Sequence, residues 1–100
     1  ESVYGVDETG QLMAWRQANG EQLWSVDRLR YRQLSTPLTL GRSVVLGDES
    51  GLVHLLAKAD GSVLTRLSTD GSAISVQPVE AGGTLVVVTR KGGVFGFQPE

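Results

Sequence analysis

The sequence contains no cysteine, which excludes disulfide staples, thiolate nucleophiles and thiolate metal sites. Neither sign of charge is in real excess: nine Lys and Arg against eleven Asp and Glu leave a net charge of −2. That balance gives no electrostatic reason to expect nucleic acid or an anionic membrane surface. Apolar runs reach about four residues, far short of the roughly twenty that a membrane-spanning helix needs. No basic n-region or apolar h-region precedes Val3, so the material is expected to be mature or truncated. Proline is scarce at three residues, whereas glycine is plentiful at thirteen, which points to frequent turns. With 40% apolar and 20% charged residues among 100, the chain has the balance and size of one small globular domain.

What is present is a repeat. Displaced by forty-one residues, "VYGVDETGQLMAW" falls on "VVLGDESGLVHLL" and then on "LVVVTRKGGVFGF". Gly10 aligns with Gly51 and Gly92, Gly20 with Gly61, Pro37 with Pro78, and Gly41 with Gly82. A period near forty built of strand-type residues matches one four-stranded propeller blade. Helical repeats of that length need apolar residues three to four apart, a spacing these segments lack.

Each unit reads as four short strands. In the central copy they are expected at about residues 34–40, 43–48, 52–58 and 62–68, with Pro37 confined to an irregular or edge position. "GDESGL" suits a type I turn, with Asp48 first and Gly51 fourth. "QANGEQ" and "KADGSV" carry Asn-Gly and Asp-Gly, a strong hairpin signal. "SVVLG" and "LVVV" are apolar at consecutive positions, as in strands buried on both faces. The expected architecture is all-β: about two and a half four-stranded antiparallel blades of a β-propeller, with strands grouped three, four and three. Residues 1–33 would form a partial blade, 34–74 a complete one and 75–100 a partial last one.

"AWRQANGEQLW" resembles the tryptophan-docking repeat of quinoprotein-like propellers, with Ala14, Gly20 and Trp24 at the matching positions. The second copy keeps Gly61 but has Thr65 where the tryptophan would stand. From "RQLSTPLTLGRSVVLGDESGLVHLL" to "LVVVTRKGGVFGF" the chain also resembles the C-terminal quarter of the BamB family, lipoproteins of the β-barrel assembly machinery. The resemblance implies an eight-bladed ring and a lipid anchor on an absent N-terminal cysteine. It also implies binding of the full propeller to the periplasmic (POTRA) repeats of BamA at the periplasmic face of the outer membrane. The loops usually implicated in that contact belong to earlier blades, so none of their residues carries over.

Gly10, Gly20, Trp24, Gly51, Gly61 and Gly92 read as structural repeat positions, and burial of a large aromatic favours packing for Trp24. Asp7-Glu8 and Asp48-Glu49 could suggest a metal or an acid–base pair, but they occupy equivalent turns of different blades and read as turn residues. His54, the sole histidine, has no cysteine and no acidic neighbour in its own strand, and reads as a partly buried strand residue. "DRLRYRQ" breaks the repeat, because its equivalent, "STDGSAI", carries no basic residue. If extended, it points Arg28, Arg30 and Arg32 one way and Leu29, Tyr31 and Gln33 the other. It is either a solvated connection or a partner-binding loop formed by Arg28, Arg30, Tyr31 and Arg32.

The expected function is a non-catalytic scaffold that helps outer-membrane proteins fold and insert. No catalytic, metal or cofactor-binding residue is assigned. The alternative is a fragment of a quinone-dependent dehydrogenase, whose cofactor ligands would lie in other blades. Open strand edges at both ends are expected to let the isolated piece self-associate.

Overall fold

The computed structural model describes residues 1–98, and every regular element in them is a β-strand. Ten strands run in order: β1 (Ser2–Val6), β2 (Leu12–Arg16), β3 (Gln22–Val26), β4 (Leu38–Leu40), β5 (Ser43–Gly47), β6 (Leu52–Ala57), β7 (Val63–Ser68), β8 (Val79–Ala81), β9 (Thr84–Val88) and β10 (Val94–Phe97). They form three antiparallel meanders, β1-β2-β3, β4-β5-β6-β7 and β8-β9-β10, with no crossover. The all-β expectation and its grouping of strands both hold.

The middle sheet explains the unbroken apolar runs. Successive side chains of a strand point to opposite faces, and here both faces are covered. Val44, Leu46 and Leu56 pack with Leu12 and Leu29, reaching the first sheet. Val45, Val53 and Leu55 pack with Leu85 and Val87 of the third. All five residues of β5 are buried. The outer sheets are covered on one face only, so β9 alternates, with Leu85 and Val87 inside and Val88 exposed.

The forty-one-residue register is visible in the backbone. Gly10, Gly51 and Gly92 have φ of 91°, 80° and 90°, each closing a turn by donating its N–H to the carbonyl three residues earlier. A left-handed residue at that point favours glycine. Gly61 adds a packing requirement. A Cβ there would lie 2.8 Å from Trp24 Cζ3 and 2.8 Å from Val26 Cγ1. The indole of half-buried Trp24 therefore spans from the first sheet to the second, where its Nε1–H donates to the Lys58 carbonyl at 2.8 Å. Tyr4 lies on the same side, its ring centroid 6.0 Å from that of Trp24.

Three local expectations need correction. The strand expected over residues 34–40 is paired only at Leu38–Leu40, plus an isolated bridge from Leu34 to Asp48. Pro37 has no N–H to contribute, and the Ser35 hydroxyl stands in for the ladder by accepting from Gly47 N–H at 2.9 Å. The Asn-Gly and Asp-Gly segments do form the expected hairpins, β2–β3 and β6–β7, though not through a two-residue type I′ turn, which needs positive φ at both central residues. Neither Asn19 nor Asp60 has positive φ. Instead Gly20 and Gly61 donate to the carbonyls of Arg16 and Ala57, four residues back, and the register shifts at Ala14/Trp15 and at Leu55/Leu56. Finally, the stretch after β3 is not extended. Leu29 is buried beside Leu12 while Tyr31 is 82% exposed with φ of 67°, so the simple alternation of sides does not apply.

Gly61 and Gly20 share their backbone geometry, with φ of 77° and 74°, but a Cβ on Gly20 would meet nothing within 4 Å. Gly20→Ala should therefore show only the backbone penalty, on the order of 1 kcal/mol. Gly61→Ala should cost a further 1–3 kcal/mol or so by forcing Trp24 off its seat. Urea midpoints of the two variants compare them directly, and equal midpoints would remove Trp24 docking as a constraint.

Candidate functional site

The turns β1–β2 and β5–β6 and the connections β3–β4 and β7–β8 gather at one end of the sheets, where they bond to one another. Tyr31 N–H donates to the Thr9 carbonyl at 2.7 Å, and Ile74 N–H donates to the Asp48 carbonyl at 2.9 Å. Each connection is thus tied to the turn of the sheet it has just left.

Asp48 is the hub of this end. Its side chain is fully buried. Oδ1 accepts from the N–H groups of Ser50 (2.8 Å) and Leu52 (3.0 Å), closing its own turn. Oδ2 accepts from Arg32 Nη1 at 2.9 Å and lies 2.7 Å from His54 Nε2. Arg66 Nε–H donates to His54 Nδ1 at 3.1 Å. Because Nδ1 accepts, the proton of a neutral imidazole sits on Nε2 and is donated to Asp48. Burial on its own would raise the Asp48 carboxyl, but the bonds from His54, Leu52 and Ser50 outweigh it and hold the group below the ordinary carboxylate range. Burial lowers His54 below 6.5, with Arg32 and Arg66 acting in the same direction and Asp48 opposing.

His54 is therefore fully rather than partly buried, and its acid comes from the end of the neighbouring strand. The sequence held the clue in its period of two. Leu46, His54 and Arg66 lie directly across from one another on β5, β6 and β7, and Asp48 shares the face of Leu46. With both ring nitrogens engaged and no exposed edge, the imidazole has no free position for a substrate. Among the described residues no group of three or more His, Cys, Asp or Glu could hold a metal ion.

The basic loop divides in two. Arg32 turns inward to Asp48, and Gln33 N–H donates to Glu49 Oε1 at 2.8 Å. Arg30 faces outward, with its guanidinium carbon 5.7 Å from the Tyr31 ring centroid and a loose contact of 3.7 Å to Asp27. Arg28 makes no ion pair among the described residues. Asp7 forms the simpler version of the turn, its Oδ1 accepting from Thr9 and Gln11. In the third copy Thr89 takes the place of the aspartate and donates to Asp70, whose carboxyl is lowered to about 2 chiefly by Ser72. A groove of ≈240 Å³ opens beside the loop between Gln33, Leu34, Glu49, Ile74, Ser75 and Arg90. A larger one of ≈650 Å³, bordered by Tyr4, Arg42, Lys58 and Leu64, lies between the first two sheets at the far end.

The family described as outer membrane protein assembly factor BamB matches residues 17–100. A BamB of Burkholderia pseudomallei is 50% identical over 97 residues, covering 97% of this chain and 26% of that protein. The Escherichia coli BamB is 30% identical over 93 residues, covering 93% and 24%. The crystal structure of BamB from Moraxella catarrhalis superposes with a TM-score of 0.89 at 31% identity, over 97% of this chain and 28% of that one. The computationally designed Ika8 protein shares the fold alone, with a TM-score of 0.81 at 16% identity. The chain spans about a quarter of the length of the curated relatives it matches.

The buried pair carries a pH signature. A histidine whose folded pKa is depressed stabilises the fold fully above its unfolded value, 6.5, and that stability falls as pH drops below it. The depressed Asp48 acts in the same direction, from the ordinary carboxylate value of 3.8 downward. Denaturant midpoints should therefore decline as pH falls below 6.5, and His54→Gln should flatten that portion of the curve. A decline of unchanged size in His54→Gln would assign it to other groups.

Proposed function

The chain belongs to the BamB family of outer membrane protein assembly factors, and on that premise we propose that it serves as part of a non-catalytic, protein-binding propeller. The 50% identity to a BamB over nearly its whole length is the observation that carries the reading. In this reading the three sheets are successive blades, divided at residues 33/34 and 74/75, with Pro99 and Glu100 of the last lying outside the described residues. The parent protein sits at the periplasmic face of the outer membrane on a lipid anchor supplied from elsewhere in its chain. It helps membrane β-barrels fold and insert by binding the periplasmic repeats of BamA.

The geometry agrees with a scaffold. The one aspartate–histidine pair is spent inside the fold, fixing Arg32 and thereby the conformation of the loop above it. Arg28, Arg30 and Tyr31 face outward as partner-binding residues, while Arg32 acts from below as their support. Tyrosine and arginine are the residue types on which interface energy tends to concentrate.

Full-length protein should retain the BamA periplasmic repeats in solution with a dissociation constant in the micromolar range or tighter, about −8 kcal/mol, measured by calorimetry. It should retain no pyrroloquinoline quinone when titrated with the cofactor and calcium. Absence of repeat binding, or stoichiometric uptake of the quinone seen by absorbance, would overturn the reading.

A further inference from the structure

Tyr31 combines two costs that folding alone does not explain. It is the sole non-glycine residue with positive φ among the described residues, at 67°, and its ring is 82% exposed. A left-handed backbone disfavours a tyrosine, and strain of this kind persists where the surroundings enforce it. Here they do. Arg30 N–H donates to Asp27, Tyr31 N–H to Thr9, and Arg32 N–H to Leu29. Leu29 anchors the loop in the core, and the Arg32–Asp48–His54–Arg66 chain holds it from beneath. The loop is therefore a stiff knuckle that displays an aromatic ring and the Arg30 guanidinium beside it.

The charges at this end are unevenly committed. Asp48 is buried, and Asp7, Glu49 and Asp70 accept from Thr9 and Gln11, from Gln33, and from Ser72 and Thr89. That leaves exposed Glu8 as the acid of these turns with no hydrogen-bond or ion-pair partner among the described residues. The cations are freer: Arg30 has only its loose 3.7 Å contact to Asp27. Arg90, which walls the groove beside the loop, and Lys91 next to it have no acid within ion-pair distance among the described residues. Leu34 and Ile74 give that groove an apolar border, and Glu49, which already accepts from Gln33 N–H, lines it as well.

We propose that Tyr31, Arg30 and the Arg90-walled groove form an interaction surface for an acidic, extended polypeptide segment. The ring supplies flat contact area at little entropic cost, and the Arg30 and Arg90 guanidiniums offer charge-assisted bonds to carboxylates. This rests on the reading that the loop meets a protein partner, and it defines that partner's chemistry.

The probe is a fluorescein-labelled twelve-residue peptide of alternating Glu and Val/Ser, with a second peptide carrying Lys in place of Glu. Full-length protein should raise the anisotropy of the Glu peptide and not of the Lys peptide, and added salt should weaken the effect. Arg30→Glu with Arg90→Glu should weaken binding about tenfold or more. Arg42→Glu, at the opposite end, should leave it within about twofold. Tyr31→Gly separates recognition from folding: it relieves the backbone, so thermal stability should hold or rise while peptide binding falls. Equal binding of the two peptides, or insensitivity to the Arg30/Arg90 reversal, would overturn the proposal. The BamA repeats are tested in parallel. If they bind and the reversals change nothing, the acidic-segment surface fails while the scaffold reading survives. If they do not bind at all, the scaffold reading fails, and the knuckle's stated partner chemistry loses its premise.

Discussion

The carboxylate of Asp48 is the constraint on which one end of the structure depends. A buried charge is tolerated only when paired and hydrogen-bonded. This one receives two backbone N–H groups, an imidazole and a guanidinium. Those four partners belong to its own turn, to β6 and to the loop that joins the first sheet to the second. Removing the carboxylate would strand Arg32 and His54 together and release the turn, so the loss would not stay local.

The three copies of this turn form a graded series on one backbone. Asp7 binds only its own turn, Asp48 adds the imidazole and one arginine, with a second arginine on the far side of the imidazole, and Thr89 donates to Asp70. All three close on a glycine at the same register. Backbone geometry has thus outlasted side-chain chemistry along the repeat. This is expected when glycine is required sterically and the capping group need only be polar.

Much of the fold was legible because the repeat counts the same turn several times. The glycine spacing and the consecutive valines and leucines of β5 and β9 announced both strands, but two-sided burial held for β5 and not for β9, which has a neighbour on one face only. The candidate site was less legible, for physical reasons. His54 on β6 and Asp48 just past the end of β5 are six residues apart, and only the cross-strand register brings them together. Arg32 comes from a loop whose course depends on Leu29 finding the core, a tertiary event with no local signal. Tyr31 shows the limit most plainly: nothing in "RLRYRQ" indicates a left-handed backbone at a tyrosine. The propeller repeat, by contrast, was legible in "AWRQANGEQLW", where Trp24 docks against Gly61, and family membership in the stretch from "RQLSTPLTLGRSVVLGDESGLVHLL" to "LVVVTRKGGVFGF".

The two ends of the sheets differ in how firmly their loops are held. At one end every connection is bonded to a turn of the preceding sheet, as Tyr31 is to Thr9 and Ile74 to Asp48. At the other, a Cβ on Gly20, Gly41 or Gly82 would meet nothing within 4 Å, and among the described residues only the β6–β7 turn is held, by Trp24 against Gly61 and Lys58. Foreign sequence, a tag or a new cut point would be absorbed there with least disturbance, since such exposed tips are where insertion and permutation succeed. The bonded end offers less such freedom at its connections, although a Cβ on Gly71 or Gly92 there would also meet open space. Lengthening one of its loops would loosen two sheets at once, so variation in length should collect on the open side and variation in chemistry on the locked one.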